Sequence, residues 1–348
     1  MNPGQTLQFK ITSIKQETPL AKTYQLELEE GTEFNFKPGQ FLTFIIRTEK
    51  QELRRSYSIL SIPGEPLKIT VKKVDNGSIS RYILQNWKEG DLVYSLPPAG
   101  RFFVAPQQTF KRDIFCFAAG SGIVPILPQI RHLLKLEPQS VIHLIYSNRN
   151  EEDALFLSYI ESLAAEQAAL NIINLFSEPL QRLANRGRLS NISAELLIEQ
   201  YLRFEKEHSI FLLCGPFAYM RMLGFTIGLM HFPKENILRE NFLPNVMRST
   251  QASRSHYPET TIEIIINAQS HMVPVLSGEN ILDAGLKQGL PLPYSCKGGV
   301  CSSCVAICKS GEVHLDINEA LSESDINEGW ILTCTGYPKT NNVKVEFI

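Results

Sequence analysis

The chain reads Pro293-Tyr294-Ser295-Cys296-Lys297-Gly298-Gly299-Val300-Cys301-Ser302-Ser303-Cys304, with Cys334 as a distant fourth thiol. Cys296, Cys301 and Cys304 have C-x4-C-x2-C spacing, the spacing of a plant-type 2Fe-2S site. A glycine-rich loop of this kind wraps a cluster and points backbone N–H groups at its sulfurs. Two other readings use the same residues. A structural zinc site usually shows two short hooks rather than one loop, and buried free cysteines pack as small apolar residues. Cys308, on what reads as a strand leaving the loop, takes that packing role. Five of the seven cysteines lie between Cys296 and Cys334, which points to a metal site rather than a disulfide framework.

A second set of candidates lies near the N-terminus. In Arg54-Arg55-Ser56-Tyr57-Ser58, an arginine beside a tyrosine at a strand end can place a guanidinium on a pyrophosphate and a ring face on an isoalloxazine. In Gly77-Ser78-Ile79-Ser80, glycine lets the chain approach phosphates, and Ser80 with nearby N–H groups can donate to them. Taken alone, each has a plainer reading, surface charges and a tyrosine in a sheet, and that reading would prevail.

A third set follows. Gly120-Ser121-Gly122-Ile123-Val124-Pro125 stands between a strand and a helix, where glycine turns seat dinucleotide pyrophosphates on the helix N-terminus. It lacks the third glycine of the usual fingerprint, so an ordinary tight turn is the competing reading. The next strand ends in Ser147-Asn148-Arg149, where an NAD site commonly carries an acid. Arg149 there suits a 2′-phosphate and hence NADPH, against the alternative of a solvated surface arginine followed by Glu151, Glu152 and Asp153. Cys214-Gly215-Pro216 ends a further strand, where Cys214 either touches a nicotinamide or fills space.

The elements that must hold these residues fall into three stretches. From Leu7 to about Phe103, short apolar runs (Tyr24–Leu28, Phe41–Ile46, Tyr57–Leu60, Leu67–Val74) alternate with breaks at Pro38-Gly39, Pro63-Gly64 and Asn76-Gly77, which predicts an antiparallel sheet or barrel. From Asp113 the pattern becomes strand Ile114–Ala118, glycine turn, helix to Leu136, strand Val141–Tyr146, helix Ala154–Ala169 and strand Ile172–Phe176. Helix Ala194–Phe204, strand Ile210–Cys214 and helix Phe217–Met230 continue it, which predicts a parallel, doubly wound sheet. Leu243 to Pro258 has no periodicity and reads as an exposed linker. After it come strand Thr261–Ile266, helix Ile281–Gln288, the cysteines and strand Val343–Phe347. The expected units are 1–106, 107–243, the linker 244–258, and 259–348.

At 348 residues the chain exceeds a single core of roughly 100–200 residues. Apolar residues at 43% and charged residues at 20% are ordinary globular usage, which excludes a disordered or fibrous chain. With 34 Lys plus Arg against 36 Asp plus Glu, the net charge of −2 provides no basic field for nucleic acid. The longest uncharged stretch, Ile114 to Ile130, is broken by Gly120, Gly122, Pro125 and Pro128, so no membrane span is expected. Met1 to Lys10 lacks the apolar run of a secretory signal, and a cytoplasmic location is expected.

In this order the motifs resemble the ferredoxin–NADP reductase superfamily fused to a C-terminal plant-type ferredoxin domain. Within it they are similar to oxygenase reductases of the phenylacetyl-CoA epoxidase type. The resemblance covers nearly the whole chain and implies an antiparallel β-barrel flavin domain, a doubly wound nucleotide domain and a β-grasp ferredoxin domain. It implies FAD held by the R-x-Y-S motif at Arg55, Ser56, Tyr57 and Ser58, by the strand Thr70-Val71-Lys72, and by the G-x-x-S turn Gly77, Ser78, Ile79 and Ser80. NADPH or NADH would lie on Gly120, Gly122, Ile123, Pro125, Ser147, Asn148, Arg149, Gly215 and Pro216. The cluster would be bound by Cys296, Cys301, Cys304 and Cys334. Glu240-Asn241-Phe242 matches the family's E-x-aromatic segment near the flavin, although here the chain runs on past Phe242.

The implied activity is hydride transfer from NAD(P)H to FAD, then single electrons through the cluster to an oxygenase component or another acceptor protein. Tyr57 would pack on the flavin ring, Ser58 would donate towards its hydride-accepting nitrogen, and Cys214 with Glu240 would shape the nicotinamide pocket. A general ferredoxin-type NAD(P)H reductase and a ring-hydroxylating dioxygenase reductase using FMN fit the same motifs. From another class, so does a non-redox zinc-binding module on a nucleotide-sensing fold.

Overall fold

A computed structural model describes residues 6–28, 34–47, 52–74, 77–181, 186–242, 257 and 259–348. The linker expected over 244–258 therefore lies outside the described residues except at Tyr257, as does Asn76 of the Asn76-Gly77 break.

The first unit contains strands β1 (Leu7–Thr18), β2 (Ala21–Leu28), β3 (Phe41–Arg47), β4 (Glu52–Ser58) and β5 (Leu67–Lys72), helix α1 (Ser78–Asn86) and strand β6 (Leu92–Ser95). Every pairing in its sheet is antiparallel, in the order β4-β3-β6-β1-β2-β5. A bridge between Ile59 and Ile69 joins the outer strands and closes a barrel. Phe9, Tyr24, Leu42, Phe44 and Ile69 fill it, each at alternate positions of a strand, as a half-buried antiparallel sheet requires. Helix α1 has no counterpart in the sequence reading, which saw only turn residues there. Its apolar positions, Ile79 and Ile83, cover one side of the barrel core.

The second unit alternates β7 (Asp113–Ala119), α2 (Ile123–Leu136), β8 (Val141–Asn148), α3 (Leu157–Glu166), β9 (Leu170–Phe176), α4 (Asn191–Tyr201), β10 (Ile210–Cys214), α5 (Phe217–Leu229) and β11 (Ile237–Glu240). The sheet is wholly parallel, in the order β11-β10-β7-β8-β9, with an apolar core on each face. Several boundaries differ from expectation, and β11 has no counterpart in it. α3 starts at Leu157 rather than Ala154 because Phe156 takes a left-handed φ of 60° and Asn150 captures the Asp153 amide. α4 starts at Asn191 because Ser190 and Ser193 form a reciprocal capping pair, and it ends before the amides of Arg203 and Phe204, which donate to buried Asp113.

The third unit contains β12 (Thr260–Ile266), β13 (Gln269–Val275), α6 (Ile281–Lys287), β14 (Val305–Ser310), β15 (Val313–Leu315), α7 (Glu323–Asn327), β16 (Trp330–Leu332), β17 (Gly336–Pro338) and β18 (Lys344–Glu346). A mixed sheet, β13-β12-β18-β14-β16, grips α6 through Ile281, Leu282 and Ala284, which is the β-grasp arrangement. Among the described residues no helix is long and apolar enough to cross a membrane.

Candidate functional site

Parallel pairing sets the first part of the site. β10 lies between β7 and β11, so the turns after β7 and β10 meet at the carboxyl edge of the sheet, where open α/β sheets bind ligands. Gly120–Gly122 forms a short 3-10 turn leading into α2, with Ile123 and Pro125 buried just beyond it. A Cβ on Gly122 would stand 2.0 Å from the Cys214 carbonyl oxygen, so this glycine is needed for turn-on-turn contact. One on Gly215 would stand 2.8 Å from the Ala119 Cβ. Pro216 caps α5.

Cys214 and Glu240 are register partners on neighbouring parallel strands, which places them side by side. Burial raises both: the Cys214 thiol well above its usual range, helped by the nearby Glu240 charge, and the Glu240 carboxyl to about 8. At the end of β8, the buried Ser147 hydroxyl lies beside the Tyr219 hydroxyl and the Asn148 side-chain amide beside the Tyr146 hydroxyl, yet none of the Ser147, Asn148 and Tyr219 side chains makes a hydrogen bond of full geometry there among the described residues. Such orphaned groups fit a polar ligand laid across the edge. Arg149 is elsewhere engaged: its Nε donates to Glu178 at 2.8 Å on the exposed rim.

On the barrel, β4 carries the R-x-Y-S residues. Ser56 and Ser58, with Arg55, line a cleft, whereas the ring of Tyr57 packs against Phe44 at 6.2 Å between centroids, and burial pushes its phenol up. Tyr57 is half-buried, touching the barrel core while part of its ring stays accessible. Thr70 is spent on Thr23 at 2.8 Å, and Val71 is core, which leaves their side chains turned from any ligand. Lys72 does reach across: its Nζ is 3.8 Å from where a Cβ on Gly120 would stand.

The first amides of α1, from Ser78 and Ile79, follow Gly77, which has no side chain to cap them, so they are open to an anion. Ser80 is committed otherwise. Its hydroxyl donates to the Gly77 carbonyl at 3.3 Å and accepts from Val74 N at 3.2 Å, so it ties the turn instead of donating to a phosphate.

The cysteine loop is wound by left-handed residues Lys297, Gly299 and Ser302. Their turns send amides inward: Gly298 N donates to Cys296 Sγ at 3.3 Å, and Cys296 N to Cys301 Sγ at 3.5 Å. Cys296 contacts Cys301 and Cys334, and Cys304 contacts Cys334, so the four thiols form one connected set. Among the described residues no three His, Cys, Asp or Glu side chains converge on a point suited to a single ion. A linked ring of thiols with inward amides fits a multi-atom sulfide cluster.

These parts converge. One cleft is lined by Phe41, Arg55, Ser56 and Ser58 of the barrel, Glu240 at the end of β11 with Asn241 and Phe242 just past it, and Ser295, Cys296 and Cys301 of the cysteine loop. Phe242 is 37% exposed at its mouth. The third unit is docked here by contacts that sequence reading missed. The Arg54 guanidinium lies 4.1 Å over the Tyr294 ring, and Asn241 donates to the Glu319 carbonyl at 3.1 Å. Arg101 pairs with Asp325 while lying 4.4 Å over the Trp330 ring. Adjacency to Cys296 could have flagged Tyr294 and Ser295; no local pattern marks Arg101.

Three family models match: an oxidoreductase FAD-binding domain over residues 8–104, an oxidoreductase NAD-binding domain over 117–224, and a 2Fe-2S iron-sulfur cluster binding domain over 264–339. A component of 1,2-phenylacetyl-CoA epoxidase from Escherichia coli (strain K12) is 31% identical over 353 residues, covering 97% of this chain and 96% of that one. The ferredoxin reductase component of 3-ketosteroid-9-alpha-monooxygenase from Rhodococcus rhodochrous is 29% identical, covering 90% and 88%. Among solved structures, phthalate dioxygenase reductase shares the fold with a TM-score of 0.59 at 22% identity, covering 98% of both chains. An intact type IV self-sufficient cytochrome P-450 monooxygenase gives a TM-score of 0.74 at 16% identity, and this chain, 98% covered, spans 41% of its length.

Proposed function

The chain belongs to the family of oxidoreductases that join an FAD-binding, an NAD-binding and a 2Fe-2S domain, and from that premise we propose that it is the reductase component of an oxygenase. It takes hydride from NAD(P)H and delivers single electrons to a separate oxygenase protein, with the phenylacetyl-CoA epoxidase system the favoured acceptor. The observation that carries this reading is the shared cleft, in which residues of the flavin motif face two of the four cluster cysteines. The units are taken to divide at 106/107 and across 244–258.

Bound FAD supplies the conversion of a two-electron hydride into single electrons, and the bound cluster accepts them one at a time. The chain's own residues hold and orient. Arg55 and the open amides of Ser78 and Ile79 hold the flavin's pyrophosphate. Ser58, buried at the cleft wall, offers its hydroxyl to the ring edge. Tyr57, half-buried, packs the accessible part of its ring on the flavin. Ser147, Asn148 and the turns at Gly120 to Pro125 and Gly215-Pro216 seat the nicotinamide dinucleotide. Cys214, held as the neutral thiol, and Glu240 wall the nicotinamide end and exclude water. Arg149 is assigned to the 2′-phosphate of NADPH, which must displace Glu178 to reach it.

The test is an anaerobic titration of the purified protein with NADPH and, separately, NADH, following flavin and iron–sulfur absorbance together. Bleaching of both chromophores is expected. Bleaching by NADH alone would keep the electron path and remove the role of Arg149. A protein that stays unbleached after cofactor reconstitution would sink the reading.

A further inference from the structure

Thr43 on β3 and Ser56 on β4 are register partners, so their hydroxyls project from the same side of the sheet, 3.0 Å apart. Two hydroxyls of the cysteine loop meet them there. Ser56 donates to Ser295 at 2.9 Å, and Ser303 lies 3.3 Å from Thr43 and 3.4 Å from Ser56. Ser303 also contacts Cys301 Sγ at 3.3 Å. Thr43 and Ser303 are 1% and 5% exposed, whereas Ser56 and Ser295 are half-buried at the cleft wall, so the inner pair of this four-hydroxyl cluster is shut off from water while the units are docked.

We propose that Thr43 and Ser303 are positioning residues for electron passage between the flavin and cluster units, their hydroxyls fixing the register in which Cys301 meets the strand carrying the flavin motif. The proposal rests on the reading above that the cleft joins flavin to cluster. Hydroxyls suit the task in two ways. Each can donate once and accept twice, so a four-membered cluster is directional and sets one register, which an apolar contact would not. On separation each hydroxyl is satisfied by water, so release exposes no sticky apolar patch. In the step served, one electron leaves the reduced flavin and one is gained by the cluster. The hydroxyls carry no proton; they hold the distance.

The experiment uses the full-length holoprotein under anaerobic stopped flow, comparing wild type with Thr43→Val, Thr43→Ser and Ser303→Ala. Thr43→Val keeps the side-chain shape but removes one hydroxyl partner from each of Ser56 and Ser303. It should leave flavin bleaching by NAD(P)H unchanged and slow cluster bleaching by about fivefold. Thr43→Ser should restore the wild-type rate, which a purely packing role for the threonine would not. Electron paramagnetic resonance of the reduced cluster should change in Ser303→Ala, whose hydroxyl touches a ligand sulfur, and stay the same in Thr43→Val. Wild-type transfer in Thr43→Val, or a Thr43→Ser variant as slow as Thr43→Val, would overturn the proposal. So would a Ser303→Ala protein with both rate and resonance unaltered. If wild type itself fails to bleach its cluster, the functional reading fails first, and this inference with it.

Discussion

At the meeting of the two glycine turns, backbone presses on backbone so closely that a Cβ on Gly122 would stand 2.0 Å from a carbonyl oxygen. At the meeting of the barrel with the cysteine unit, the central contacts are hydroxyl pairs between 2.9 and 3.4 Å, rimmed by arginines over aromatic rings. The first junction lies within one core and cannot open without unfolding. The second has a solvatable centre and a charged edge, the composition of a contact that forms and releases. Hydride transfer needs reacting atoms roughly 3–3.5 Å apart, which a fixed junction maintains. A domain that must also serve another protein needs the releasable kind.

The largest effect should come from breaking the fixed junction. Gly122→Ala places a methyl group against the Cys214 carbonyl, which ends β10, an interior strand paired on both sides, and cannot withdraw. We expect a loss of roughly 3 kcal/mol in urea unfolding, at the upper end for overpacked sites, and near-complete loss of flavin bleaching by NAD(P)H. A variant that keeps both would mean that the two turns are not rigidly joined.

The contrast also marks what could be read from sequence. Glycine turns, the cysteine spacing and the alternation of strands and helices are local signals, so all three folds and the three clusters of candidate residues were legible. The interface was not. Arg101 reaches Asp325 and Trp330 over more than two hundred positions, and only the relative placement of two units makes them neighbours. The same limit applies within a motif. Ser80 and Tyr57 were legible as motif residues, but the hydroxyl of Ser80 tying its own turn and the contact of Tyr57 with Phe44 were not.

A smaller effect, in pH, probes the fixed junction without breaking it. Burial raises the Glu240 carboxyl to about 8, from an ordinary value near 4.5. Between those values the folded state binds a proton that the unfolded chain has lost, so this group's contribution to stability falls as pH rises across the window and levels off above it. Neighbouring Cys214 stays neutral throughout, because burial raises its thiol well above its usual range. Glu240→Gln should therefore flatten the decline in unfolding free energy between pH 5 and about 8. Parallel profiles for wild type and variant would show that Glu240 gains a partner or solvent in solution.

The mildest change concerns the rim of the releasable junction. Arg101→Met keeps much of the aliphatic stem over Trp330 but removes the charge facing Asp325. The Arg101 side chain is 32% exposed, so solvent screens the pair, and a slowing of cluster bleaching of about threefold is expected. The more telling sign is salt. Wild type should slow as ionic strength rises, because a rim charge is being screened, and Arg101→Met should lose part of that dependence. Lys234 and Glu323, which pair the second unit with the third, serve as a control: both are 75% exposed, and Lys234→Ala should change neither rate nor salt slope. Equal salt slopes in wild type and Arg101→Met would mean that the hydroxyl centre alone holds the units together, and the two junctions would then differ in how they release but not in their use of charge.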